Sequence, residues 1–137
     1  MLIVCCYVDD MIYIGKLIVE EFRTIMKNEF EMTSVGLMKY FLGLEVTQTD
    51  EGIFFCQRKY ATYILQRLKM DKCKPTETPI PLGTKLTKND DGTTINSTLY
   101  KRMVGNLIYL TTTRPDLMYV VSLISRFMES PKDSHSI

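Results

Sequence analysis

The stretch "CCYVDDMIYIG", residues 5–15, decides how the first part of the chain folds. β-Branched and aromatic residues on both sides of Val8-Asp9-Asp10 predict two strands, 2–7 and 11–14, that are joined at the aspartates. Their nearly continuous apolar character predicts a hairpin that a helix covers on at least one face. A pair of carboxylates in such surroundings is costly unless positive charge lies against it. The hairpin therefore raises the question of what supplies that charge.

The adjacent aspartates Asp9 and Asp10 have two interpretations. Aspartate is common in turns because its side chain forms local hydrogen bonds. Carboxylates at a hairpin tip also suit a divalent cation, since Mg²⁺ prefers oxygen ligands and is usually held by one or two carboxylates together with substrate phosphates. The hairpin alone does not decide between a turn and a metal site.

Composition limits what the rest of the chain can be. The 137 residues, 45% of them apolar, suffice for one domain or two small ones, and the net charge of +1 names no partner. Four cysteines without CxxC spacing predict buried, reduced thiols rather than a zinc site or a disulfide framework. The opening apolar run has no basic start or cleavage site and is too short to span a membrane. We expect a soluble chain inside the cell, cytoplasmic or nuclear and not secreted.

Hydrophobic periodicity along the rest of the chain predicts an α+β fold. Residues 71–97 break the pattern, because prolines and glycines lie there among polar residues, and they predict a linker or a functional loop. The predicted elements are a helix over 17–30, a hairpin with strands near 39–48 and 53–57, a helix over 59–70, and two helices over 98–113 and 115–129.

The segment YVDD, residues 7–10, lies between apolar strands and resembles the catalytic hairpin of reverse transcriptases. The resemblance is closest to the copia-type (Pseudoviridae-like) LTR retrotransposon polymerases, and it covers nearly the whole chain. Further segments occur in that family's order and spacing: "FEMTSVGLMKYFLGLEV" (30–46), "GIFFCQRKYATYIL" (52–65), "CKPTETP" (73–79), "LYKRMVGNLIYLTTTRPDLMYVVSLISRFM" (99–128) and "PKDSH" (131–135).

The resemblance implies a division of the chain into parts of a polymerase. Residues 1–70 would form a partial palm, which contains the YVDD hairpin, a helix and a primer-grip-like hairpin. Residues 71–97 would be a linker, 98–130 a thumb-like helical hairpin, and 131–137 a tail. The family carries out RNA-directed DNA synthesis by two-metal nucleotidyl transfer.

The resemblance also assigns roles to residues of the first hairpin. Asp9 looks like a catalytic metal ligand, and Asp10 like its neighbour at the same site, contributing less directly. Mg²⁺ would then be the positive charge that the hairpin requires. Tyr7 and Val8 resemble residues that lie against nucleic acid close to the primer end, with apolar packing in the hairpin as the alternative for Val8.

The sequence YFLG, residues 40–43, resembles the primer grip. Leu42 and Gly43 would place backbone beside the primer terminus, and a glycine permits such a close approach. A bulge in an ordinary strand is the alternative.

One face of the predicted helix 98–113 suits the minor groove of a duplex. Lys101, Gly105 and Tyr109 recur every four residues and therefore line one side of the helix. Arg102 flanks this face, as does Asn106. The minor groove would accommodate the basic side chain of Lys101, the gap at Gly105 and the amphipathic ring of Tyr109.

Packing is the alternative for the same face. Gly105, which costs roughly 1 kcal/mol relative to alanine in a helix interior, would allow close contact with the next helix, and Tyr109 would belong to the core. We favour the groove because apolar positions 99, 103, 107 and 110 provide a separate core face.

Local charge supports contacts with phosphate. Residues 58–74 carry six basic residues and one acidic residue, and residues 98–114 carry three basic residues and no acidic one. Phosphate contacts are expected on both segments. A solvated basic face is the alternative for 58–74.

Two functions of different classes stay open: a working RNA-directed DNA polymerase, and a non-catalytic relic of the same fold that binds nucleic acid or a partner. The family's further metal-binding aspartate lies on a palm strand far upstream of YVDD, and this chain begins eight residues before Asp9. We therefore expect that this chain does not catalyse alone. Expected partners are an RNA/DNA template–primer duplex, dNTP only with the missing palm and fingers, and no membrane. Self-association is expected through apolar surface around Val4, Met11 and Ile14.

Overall fold

The structure, a computed structural model, describes residues 1–15, 17–81, 83–88 and 91–136. Within them it has small sheets and four α-helices, which confirms the predicted α+β class. Leu82, Asn89 and Asp90 of the predicted linker and Ile137 of the predicted tail lie outside the described residues. The elements are β1 (Leu2–Tyr7), β2 (Asp10–Gly15), α1 (Val19–Glu29), β3 (Tyr40–Phe41), β4 (Leu44–Thr49), β5 (Gly52–Cys56), α2 (Arg58–Arg67), α3 (Ser97–Leu110) and α4 (Met118–Ser125).

The chain divides into two compact units, Met1–Met38 and Lys39–Ile137. The first unit contains β1, β2 and α1, and the second contains the remaining elements. The assignment of segments to palm, linker, thumb and tail stays a prediction, since this division follows packing rather than function.

In the first unit, β1 and β2 form the predicted antiparallel hairpin. Tyr7 lies opposite Asp10, so Val8-Asp9 is a two-residue turn. Helix α1 covers one face of the hairpin: the rings of Tyr13 and Phe22 meet edge to face with centroids 5.4 Å apart, and Arg23 Nε donates to the Tyr13 hydroxyl at 3.1 Å. This hydrogen bond is the main cause that lowers the pKa of Tyr13.

The other face of the hairpin is uncovered. Successive strand residues point to opposite faces, so Val4 shares the face of its partner Tyr13, whereas Ile3 and Ile14 share the opposite face. Ile3 and Ile14 are 53% and 59% exposed. The prediction of exposed apolar surface is confirmed at Val4 and Ile14 and is wrong at Met11, which is half-buried beside α1. Self-association through this surface stays a prediction.

The second unit begins with a three-stranded antiparallel sheet in the order β3-β4-β5. The prediction of one strand over 39–48 is wrong, because the chain reverses at Leu42 and Gly43 and pairs Phe41 with Leu44. Both residues of this turn have positive φ, 48° at Leu42 and 82° at Gly43. The turn therefore connects two paired strands, β3 and β4, where one strand was predicted.

Helices α3 and α4 enclose the main core of the second unit, which consists of Tyr100, Val104, Ile124 and Phe127. The Tyr100 hydroxyl donates to the Ile124 carbonyl oxygen at 2.9 Å, and burial raises the pKa of Tyr100. The predicted core face is wrong at Leu99, which is 59% exposed. The helix instead buries Tyr100 and Val104, while Met103 and Leu107 of the predicted face pack against the same core.

His135 fastens the C-terminal segment to this core. Its side chain is fully buried, and its ring stacks on Phe127 with centroids 3.9 Å apart. Nδ1 accepts from the Lys132 backbone N–H at 3.0 Å, so Nε2 carries the proton and donates to the Thr87 carbonyl oxygen at 3.0 Å. One side chain thus joins the tail to the segment that follows α4 and to the segment before α3.

The cysteines differ from the prediction of buried thiols. Cys5, Cys6 and Cys73 are exposed and Cys56 is half-buried, all four with free thiols. The prediction is wrong at Cys5 because that residue lies on the uncovered face of the hairpin. Among the residues described, no helix is long and apolar enough to cross a membrane.

We predict that His135→Ala lowers the free energy of unfolding of the second unit by about 2–4 kcal/mol, because it removes a stacked ring and leaves the Lys132 N–H without an acceptor. Urea unfolding followed by circular dichroism measures this change. Ser134→Ala, at an exposed neighbour, is the control and should be close to neutral. A His135→Ala protein as stable as this control would contradict the role of His135.

Candidate functional site

The two aspartates occupy the tip of the hairpin in the first unit. Asp9 belongs to the turn, Asp10 begins β2, and both are exposed. Within the described ranges, neither carboxylate takes part in an ion pair. Exposed carboxylates are chemically suited to Mg²⁺. The part of the chain that the structure describes has no group of three or more His, Cys, Asp or Glu side chains that could hold a metal ion. Asp9 and Asp10 therefore suit part of a metal site.

The turn that carries Asp9 is strained at Val8. Its φ is 54°, in the left-handed region, and its side chain is 85% exposed. Two-residue hairpin turns favour glycine, asparagine or aspartate where φ is positive, whereas a β-branched residue is an outlier there. The exposed side chain does not pack in the hairpin. Strain of this kind is concentrated at functional sites.

Other predicted site residues meet in the second unit, where Tyr109 contacts the turn between β3 and β4. The Tyr109 hydroxyl donates to the Leu42 carbonyl oxygen. A Cβ atom on Gly43 would lie 3.0 Å from the same hydroxyl oxygen, and the φ of Gly43 is 82°. Glycine is required here both by conformation and by the close approach of the ring. The structure thus joins the turn at Leu42 and Gly43 to α3.

Gln57 and Tyr60 hold Tyr109 from the side of α2. The rings of Tyr60 and Tyr109 meet edge to face with centroids 4.9 Å apart, and burial is the main cause that raises the pKa of Tyr60. Gln57 is 3% exposed. Its Nε2 donates to the Tyr109 carbonyl oxygen at 3.4 Å, and its Oε1 accepts from the Thr113 hydroxyl at 2.8 Å. Neither residue was identified from the sequence as part of the site. The one indication was the position of Gln57 between an apolar strand and a helix, where a polar side chain could be buried.

The outward face of α3 is open and basic. Lys101, Arg102 and Gly105 are exposed, and a Cβ atom built on Gly105 has no neighbour within 4 Å. Gly105 therefore does not serve close packing against α4. Neither basic side chain has a carboxylate partner in the described part of the chain. Tyr109 is half-buried, and its hydroxyl is engaged by the turn.

Comparisons with known proteins point in one direction. The family described as reverse transcriptase (RNA-dependent DNA polymerase) matches residues 1–82. No solved structure matches the chain.

Curated relatives are transposon proteins in the main. The chain is 34% identical over 131 residues to the retrovirus-related Pol polyprotein from transposon RE2 of Arabidopsis thaliana, which covers 94% of this chain and 9% of that protein. It is 31% identical over 145 residues to the corresponding polyprotein from transposon TNT 1-94 of Nicotiana tabacum, covering 98% and 11%. An uncharacterized mitochondrial protein of Arabidopsis thaliana is 34% identical over 131 residues, covering 91% and 52%. The chain thus spans about a tenth of the length of the two polyproteins.

We predict that Val8→Asn stabilises the β1–β2 hairpin by about 1 kcal/mol, because asparagine tolerates the left-handed conformation. Val8→Thr is the matched control, since it keeps the branched Cβ and should leave the strain in place. Hydrogen exchange of the hairpin amides measures the free energy of local opening. Equal exchange rates in the asparagine variant and the wild type would argue that Val8 is unstrained.

We predict that Tyr109→Phe lowers the free energy of unfolding of the second unit by about 1 kcal/mol, because it deletes the hydrogen bond to Leu42 and keeps the ring. Tyr119→Phe is the control, as the Tyr119 side chain is 73% exposed on α4. Urea unfolding of both variants makes the comparison. Identical midpoints would mean that the Tyr109 hydroxyl does not hold the turn.

Proposed function

This chain belongs to the reverse transcriptase family of the copia retrotransposon type, and we propose that it is a fragment of such a polymerase that binds the template–primer duplex. In this proposal residues 1–70 are part of the palm, 71–97 a linker, 98–130 the thumb and 131–137 a tail. The observation that carries it is the arrangement of the second unit, in which α3 presents an open basic face and also holds the primer-grip-like turn.

Each part of this surface has a role in binding the duplex. Lys101 and Arg102 contact phosphates, which are recognised mainly through charge. The absence of a side chain at Gly105 lets the backbone of α3 approach the minor groove. Leu42 and Gly43 place backbone at the primer terminus, and Tyr109 acts on the nucleic acid through this turn by fixing its position.

The aspartates of the first unit contribute to the metal site of the polymerase. Asp9, in the turn, would be the principal ligand of Mg²⁺, and Asp10 would assist it. Bound Mg²⁺ supplies activation of the primer 3′-hydroxyl and stabilisation of the leaving pyrophosphate. Tyr7 and Val8 would lie against the primer end, where the strained turn fixes the direction of Asp9.

Two carboxylates supply too few ligands for a two-metal site, so we propose that the chain alone does not polymerise. It would bind dNTP only when the rest of the palm and the fingers are supplied. A purely nucleic-acid-binding relic is the second candidate. It is favoured by the finding that the described residues contain no larger group of metal ligands.

We predict opposite effects of Gly105→Ala on stability and on binding. The substitution should raise the free energy of unfolding by up to about 1 kcal/mol, because alanine favours a helix and the site is open. It should lower the affinity for an RNA/DNA duplex, by about tenfold if the added methyl group costs 1.4 kcal/mol of contact. Fluorescence anisotropy with a labelled duplex measures the affinity.

Two further variants sharpen this test. Gly105→Leu should weaken duplex binding more than Gly105→Ala, because it fills the gap. Ser122→Ala, at an exposed position of α4, is the control that raises helix propensity without changing α3. Unchanged duplex affinity in both Gly105 variants would refute the groove-binding role of α3.

A further inference from the structure

A row of tyrosines and basic side chains follows the exposed face of α2, outside the duplex-binding surface proposed above. Lys59, Tyr63 and Arg67 recur every four residues and so lie along one side of the helix, over roughly 12 Å. Tyr40, at the start of β3, extends the row, because Lys59 Nζ lies 5.7 Å from the centroid of its ring. We call Tyr40, Lys59, Tyr63 and Arg67 the α2 row.

Each tyrosine of the α2 row is paired with a cation and remains accessible. Arg67 Cζ lies 5.8 Å from the Tyr63 ring centroid, and Arg67 Nη1 donates to the Tyr63 hydroxyl at 2.9 Å. Tyr40 and Tyr63 are 55% and 50% exposed. The cations hold the rings in defined positions, while about half of each side chain stays open to a ligand.

The cations of the α2 row are not neutralised by carboxylates. The ion pairs formed among the described residues are Arg23–Glu20 and Arg114–Asp116, and neither involves α2. Glu45, which lies near the start of the helix, accepts the backbone N–H of Lys59 at 2.8 Å. A face that served only solubility would not require two exposed tyrosines between its basic groups.

We propose that the α2 row binds single-stranded nucleic acid. Bases would stack on Tyr40 and Tyr63, and phosphates would contact Lys59 and Arg67, which is the usual combination on surfaces that bind single strands. A duplex is a poorer ligand, because its bases are already stacked on one another. The inference rests on the proposed function, since a polymerase that copies a template must also accommodate the strand that is not yet paired.

Fluorescence anisotropy of the full chain tests this, with a labelled oligouridylate of about 12 nucleotides as the single strand and an RNA/DNA duplex of equal length. Tyr63→Ala should weaken binding of the single strand by about 5- to 150-fold and leave duplex binding unchanged. Tyr63→Phe keeps the ring and should retain the affinity. Tyr119→Ala, on α4, is the matched control.

The salt dependence tests the charges separately. Arg67→Gln should reduce the slope of log affinity against log salt by about 0.7 for the single strand, the value for one lost phosphate contact. Lys27→Gln, an exposed change on α1 with the same loss of charge, should not alter the slope. Circular dichroism of each variant establishes that it is folded, and Tyr63→Leu replaces Tyr63→Ala if the latter unfolds.

The outcomes separate this inference from the proposed function. Duplex binding with no single-strand binding, or with single-strand binding that is insensitive to the Tyr63 and Arg67 substitutions, would overturn the role of the α2 row alone. A folded chain that binds neither ligand would overturn both. Single-strand binding that falls with Tyr63→Ala and survives in Tyr63→Phe is the expected result.

Discussion

The contact between Tyr109 and the turn at Leu42-Gly43 is the interaction on which the candidate surface of the second unit depends. It joins a β-turn to a helix that lies far along the chain, and Gln57 and Tyr60 hold the tyrosine from a third element. The hydrophobic core around α3 and α4 is small, so a defined position for the turn requires directional contacts. Through these contacts, the turn has a fixed position relative to the open face of α3 at Gly105.

Local pattern sufficed to predict much of the fold. The apolar residues around Asp9 and Asp10 indicated the first hairpin, and the strand 2–7 is confirmed residue by residue. Helices were predicted in the right places with ends displaced by a few residues, because caps and final turns depend on neighbours. Lys101 and Gly105 are exposed as the four-residue spacing suggested, whereas Tyr109 at the next position is half-buried.

Features that depend on distant partners could not be predicted in this way. The turn at Leu42 interrupts a pattern that is typical of a strand. A leucine in the sequence does not indicate that the backbone adopts a positive φ there. His135 owes its burial to Phe127 and Thr87, and Gln57 owes its burial to Tyr109. In each case the partner lies on another part of the chain. Hydrophobic periodicity within one element does not indicate which residues elsewhere will pack against it.

We propose that this chain of the reverse transcriptase family carries a surface for the template–primer duplex but only part of the metal site. Primer extension on an RNA template with Mg²⁺ distinguishes this fragment from a complete polymerase when duplex binding is measured on the same preparations of the wild type and Asp9→Asn. Both proteins should bind the duplex, and neither should extend the primer. If the wild type extends the primer and Asp9→Asn does not, the chain completes the metal site by itself and the proposal of a partial site is wrong.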